Sequence, residues 1–205
     1  MKTERTPERL VFFADAVVAI ALTLLVLPLT EVVPEIVAAH GHSIDAITEN
    51  QWRISSFLLS FVVIARLWLV HHRLFEVVAS YTVPLQWLNI AWLLTVAVLP
   101  FPTEMIGAFG DDRFTELFYI GTVFASSLCL TAMTLVVRAD PQLVKHPGAI
   151  TDSWRFSSVG STVALGCAFA LTAFVPGVDY YSILLLVVPA QLDRIRYRRR
   201  AHEDA

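Results

Sequence analysis

The sequence predicts an all-α, polytopic membrane protein with six transmembrane helices. Three observations predict it. Of 205 residues, 56% are hydrophobic and only 16% charged, against about 45–50% and about 25% in soluble domains. The apolar residues gather in segments of about 20, the length that crosses a hydrocarbon core. Lysine and arginine fall almost wholly on one side of those segments, as the positive-inside rule requires of cytoplasmic loops.

The first span is predicted at about 10–29, bracketed at its end by Pro28 and Pro34. A basic start before an apolar stretch has the outline of an export signal. Asp15 interrupts that stretch, the stretch is long, and no small-x-small cleavage site follows, so it reads as a retained helix. The second span is predicted at 54–72 and the third at 82–101. The third should end at "LPFPTE" (99–104), because each proline lacks an N–H and blocks continuation of a helix. The fourth, at 115–137, is followed by the polar connection "ADPQLVKHPG" (139–148). The fifth, at 156–175, turns through "VPGVD" into a short sixth span at 179–193, interrupted by Pro189. A basic tail, 194–205, contains "RIRYRRR" and should pin the last helix to an anionic inner leaflet, worth about 1 kcal/mol per basic residue near the surface.

With a cytoplasmic N-terminus, the inner side holds Lys2, Arg5, Arg9, Arg73, Arg138, Lys145, Arg155 and the five arginines of the tail. The outer side holds Arg53 and Arg113. Twelve against two places both termini in the cytoplasm of a multi-pass protein of the cell membrane. The first outer loop (30–50) carries Glu31, Glu35, Asp45 and Glu49 with His40 and His42. An acidic mouth of this kind raises the local cation concentration, although any exposed loop is polar.

A net charge of −3 offers nothing to nucleic acid. Cys129 and Cys167 lie singly in apolar segments and read as packing residues. No Cys or His spacing suits a metal, and no cofactor is implied. His-Glu-x-x-His, Gly-x-Ser-x-Gly and paired intramembrane aspartates are missing from the sequence, so an intramembrane enzyme is disfavoured. No internal repeat is visible.

The first span carries the chemistry. Successive helical residues turn by about 100°. Ile20, Leu24 and Leu27 follow an i, i+4, i+7 rule and form one aliphatic stripe, with Thr23 beside it. Asp15 falls about 140° from Ile20, on another face. A carboxylate within a span turns to the protein interior and finds a partner there. Arg9 has the reach to join such a network, and His71 and His72 in "WLVHHRLF" (68–75) are placed to donate across helices. The first reading is a polar knot that locks packing, ahead of a proton-carrying role. Trp52, Trp68, Trp87, Trp92 and Trp154 read as interface anchors and packing. Arg66 stands mid-span, where a charge costs about 2.5–3.5 kcal/mol on insertion scales, and should pair with an acid on another helix or snorkel. Taken alone, the aliphatic stripe reads as a surface for lipid or neighbouring helices.

The stretch "RLVFFADAVVAIALTLLVL" (9–27) resembles the signature of the transmembrane-175 potassium channel family, in its short prokaryotic form. That signature is Arg-x-x-x-Phe-Ser-Asp followed by Ala-Ile and Thr-Leu-Leu. It is matched by Arg9, Phe13 and Asp15, then Ala19, Ile20, Thr23, Leu24 and Leu25. Residues 57–76 and 85–107 are similar to the family's second and third helices. Ala14 stands in place of the motif serine, and Pro28 stands where many relatives have an acid.

The resemblance implies a six-helix subunit, four of which assemble as a homotetramer with the first helix lining a central pore. Ile20 would be the constriction, with Leu24 and Leu27 above it and Thr23 just behind. Arg9, Phe13, Asp15, Trp68, His71 and His72 would form the packing and polar network that fixes the pore radius. The ions would be K+ and other monovalent cations, in transit and not held as a bound metal. Hydrophobic necks gate by dewetting, and K+ sheds water more easily than Na+, so a modest K+ preference is expected. No "TVGYG" filter is present. Two alternatives remain open. One is a proton- or cation-coupled secondary transporter using Asp15, Arg66 and His71, although repeated halves and broken helices at the midplane are not evident. The other is a structural membrane protein with no transport.

Overall fold

The computed structural model describes residues 6–110, 112–146, 148 and 150–174. The predicted sixth span (179–193), the basic tail, Lys2 and Arg5 lie outside the described residues. Within them the regular secondary structure is all helical apart from one isolated β-bridge. Five helical stretches are long and apolar enough to cross a membrane: Glu8–Ala38, Gln51–Glu76, Val83–Phe109, Arg113–Ala139 and Asp152–Phe174.

Two of these stretches are broken, and both breaks correct a predicted end. The first consists of α1 (Glu8–Leu24) and α2 (Leu27–Ala38). Pro28 sits in the first turn of α2, where its missing N–H would have had no intrahelical partner. The proline therefore restarts the helix instead of ending it, and Pro34 is carried inside α2. The third stretch repeats the device. After the four-residue α3 (Asp45–Thr48) and the uninterrupted α4 (Gln51–Glu76), α5 (Val83–Val98) ends at Leu99. Pro100 then opens α6 (Pro100–Phe109), with Pro102 also in its first turn. The helix predicted to stop at 101 thus continues to Phe109.

The fourth stretch, α7 (Arg113–Ala139), starts on a true cap: Asp112 Oδ2 accepts from the Thr115 amide at 3.0 Å and its hydroxyl at 2.9 Å. It lies at the centre of the bundle against α4, α5, α6 and α8 (Asp152–Phe174). Membrane helices associate through small residues and hydroxyls, and the α7–α8 seam uses both. The Ser127 and Thr131 hydroxyls meet Thr162 Oγ1 at 2.8 and 2.7 Å, and Thr131 also meets Ser158 Oγ at 2.9 Å. Gly166 admits the Phe124 ring so closely that a Cβ there would lie 3.1 Å from it. At the end predicted to be cytoplasmic, the α4–α5 and α7–α8 connections pair as a short antiparallel seam. Val78 bridges Val144, the Ala79 amide donates to Leu143 O at 2.7 Å, and the Lys145 amide donates to Val77 O at 2.9 Å.

Candidate pore helix and its polar support

On α1, Ala14, Val18, Ala21 and, just past its end, Leu25 follow the i, i+4, i+7, i+11 rule and are buried against α4 and α5. The small side chains of Ala14 and Ala21 let the neighbouring helices come close. The opposite face is bare in the single chain: Ile20 is 59% exposed, Leu24 42% and Leu27 51%. Thr23, beside the stripe, turns its hydroxyl back onto Ile20 O at 2.8 Å. Leu27 belongs to α2, so the stripe crosses the α1–α2 break. Phe12 and Phe13 are also exposed, lower on α1.

Asp15 is half-buried, and its Oδ1 accepts from the indole Nε1 of Trp68 at 2.8 Å. The spacing alone offers His71 or His72 as the donor, and Trp68 is a member of the network that the resemblance implies. Depth explains the difference. Successive spans cross in opposite directions, and an α-helix rises about 1.5 Å per residue. Asp15 lies about 10 Å from the start of α1 and Trp68 about 12 Å from the end of α4, whereas His72 lies only about 6 Å from that end. Trp68 is level with the carboxylate and the histidines are a turn too low.

His72 shares the Trp68 ridge: the two rings are 5.4 Å apart, and His72 Nε2 stands 3.6 Å from Glu76 Oε1. His71 faces α5 instead. It is fully buried, its Nε2 is 2.7 Å from Asn89 Oδ1, and its ring stacks on Trp92 at 4.1 Å with an interplanar angle of 6°. Arg9 is exposed on the first turn of α1, outside these contacts. Ala14 is buried where the motif serine would stand, so no hydroxyl joins the network at that position. Arg66 is half-buried on α4.

Sequence reasoning missed Asn89 and the stacking of Trp92 on His71, although Trp92 itself reads as a packing residue. The available signal was "NIAW" (89–92), an amide and an indole three residues apart on one face of an otherwise apolar span. It also missed a hydroxyl chain that ties α4, α6 and α7 together. Thr103 donates to Ser60 at 2.8 Å, and Ser60 donates to Tyr119 Oη at 3.2 Å.

Above the stripe, the two helix breaks and the outer end of α4 enclose a cavity of about 70 Å³ lined by Pro28, Glu31, Glu35, Arg53, Thr103 and Glu104 among others. Arg53 Nη1 stands 3.6 Å from Glu35 Oε2 and holds α2 to α4. Three carboxylates around one guanidinium leave this corner net negative. Among the described residues, no group of three or more His, Cys, Asp or Glu side chains is placed to hold a metal.

Comparison with known proteins bears on the same helix. The family described as endosomal/lysosomal potassium channel TMEM175 matches residues 9–100. A Streptomyces collinus protein named as a potassium channel is 33% identical over 175 residues, which is 77% of this chain and 80% of that protein. The rat protein named endosomal/lysosomal proton channel TMEM175 is 31% identical over 109 residues, 52% of this chain but only 21% of its own length. Among solved structures, the crystal structure of a lysosomal potassium-selective channel TMEM175 homologue from Chamaesiphon minutus superposes with a TM-score of 0.75. It is 25% identical and covers 92% of this chain and 96% of that one.

Proposed function

The chain belongs to the TMEM175 potassium channel family, an ion-channel family and not an enzyme family, and from that premise we propose that four copies form a potassium-permeable pore lined by α1. Ile20 forms the narrowest ring, Leu24 and Leu27 continue the dry neck above it, and Thr23 supports the neck from behind. Both termini lie in the cytoplasm. The Asp15–Trp68 bond on the far face of α1 holds the helix at a fixed distance from α4, and so sets the neck's radius.

The observation that carries this reading is the division of α1 into two faces. One is packed tightly into its own subunit. The other is a continuous aliphatic ridge left bare by it. A ring of isoleucines offers an ion no ligands, so passage requires partial dehydration, which is easier for K+ than for Na+. Dewetting closes such a neck, and small changes in radius open it. The Streptomyces collinus relative is named as a potassium channel and the rat relative as a proton channel, so the permeant ion is part of the test.

Ile20→Asn, reconstituted in planar bilayers, is the test. The amide wets the neck, so conductance should rise or K+ selectivity fall, read from reversal potentials under K+, Na+ and pH gradients. Unchanged currents would remove Ile20 from the pore. Saturable counterflow without unitary currents would replace the channel with the carrier that uses Asp15, Arg66 and His71.

A further inference from the structure

The break between α1 and α2 changes what the neck offers an ion. In an unbroken helix the carbonyl of Leu24 receives the amide of residue 28. Residue 28 is proline and has no N–H. The chain loosens at this point. Residues 25 and 26 fall between the two helices while keeping right-handed helical backbone angles, and the Val26 amide reaches back only to Thr23 O at 3.4 Å. The other two carbonyls of the stripe are differently placed. Ile20 O accepts the Thr23 hydroxyl at 2.8 Å, and Leu27 O accepts the Thr30 hydroxyl at 2.7 Å. Leu24 O is the stripe carbonyl that has lost its i+4 amide and has no threonine hydroxyl on it.

Its position makes this consequential. Leu24 is on the bare ridge, about 24 Å along the helix from Glu8 and so inside the hydrocarbon thickness. A carbonyl without its amide at that depth is tolerated where it is covered by protein or lines water, and does not occur against lipid. A broken helix whose freed carbonyls face an aqueous path is a recurrent way of coordinating a monovalent cation within a membrane. We propose that the four Leu24 carbonyls, released by Pro28, form a K+-binding ring one turn above the Ile20 neck. This rests on the pore reading given above. The ring supplies oxygen ligands just after the dehydrating step, and it makes this chain's selectivity depend on Pro28.

The experiment replaces Pro28 and leaves the side chains of the neck alone. Pro28→Ala returns an amide to Leu24 O. The K+:Na+ permeability ratio, from bi-ionic reversal potentials in planar bilayers, should fall about threefold, equivalent to ~0.65 kcal/mol, with K+ conductance saturating at higher K+. Pro34→Ala restores the amide to Thr30, beyond the stripe, and should leave both readings unchanged. A Pro28→Ala channel with wild-type selectivity and saturation overturns the ring, as does an equal shift in Pro34→Ala. Wild-type protein crystallised with Tl+ gives a reading that needs no variant: an anomalous peak on the fourfold axis level with Leu24 supports the ring, and its absence there overturns it. Ile20→Asn separates the two failures. If it alters the currents while Pro28→Ala does not, the pore stands and the ring falls. If Ile20→Asn is silent, both fall.

Discussion

Trp68→Phe removes one N–H and keeps most of the aromatic bulk. Asp15 Oδ1 then loses the donor that reaches it at 2.8 Å from α4. Two magnitudes compete. Interhelical hydrogen bonds in membranes average about 0.6 kcal/mol in double-mutant cycles. Bonds to a charged group run to about 1.5–3 kcal/mol, but Asp15 is half-buried and partly screened, which favours the low end. A coupling near 1.5 kcal/mol is therefore expected. The lost ring area of Trp68→Phe makes the single variant ambiguous, so the assay is a cycle. Wild type, Trp68→Phe, Asp15→Leu and the double variant are unfolded in detergent, with thermal or denaturant midpoints followed by size-exclusion fluorescence. The cycle cancels the packing loss and isolates the pair. A coupling energy under about 0.3 kcal/mol, within the additivity error of independent sites, would show that the indole and the carboxylate touch without holding α1 in place.

Two further outcomes follow from the same contacts. Asp15→Asn keeps an acceptor oxygen but gives up the charge, so the yield of the proposed tetramer on a sizing column should fall more than single-channel conductance. A wild-type yield counts against the network's role in assembly. Gly166→Val drives a branched side chain into Phe124, where even a Cβ would stand at 3.1 Å. The α7–α8 seam should lose about 1–3 kcal/mol, read as a lowered denaturation midpoint, and an unshifted midpoint would mean that the ring swings clear at no cost.

Much of the architecture was legible because hydrocarbon thickness fixes span length and apolar runs report it directly. All-helical character follows, since a spanning segment must satisfy its own backbone. The prolines were harder. "LPLTEVVP" and "LPFPTE" contain the residues that end helices, but the same residues open them, because the first turn needs no N–H. Which of the two occurs depends on whether the following residues have something to pack against, as Val32 and Ile106, both buried, do. The exposed ridge of Ile20, Leu24 and Leu27 was visible as periodicity. Periodicity did not single out the partner of Asp15, although the resemblance places Trp68 in the same network, because partner choice is a matter of depth across two helices, and a difference of four residues moves a side chain about 6 Å along the axis. His71 shows the same limit from the other side: its mates Asn89 and Trp92 lie on a helix whose rotation is set by packing alone.

The acid of α1 is made long before its indole. Fifty-three residues separate Asp15 from Trp68, which at ordinary ribosomal speeds of about 5–20 residues per second is a wait of roughly 3–10 s. A helix that commits to the bilayer alone during that interval carries a carboxylate with no mate. Birth order thus sets a constraint that the finished bundle conceals. Entry of the leading hairpin as a unit would spare the first helix that burden, about 2.5–3.5 kcal/mol for a charge at the bilayer centre on insertion scales.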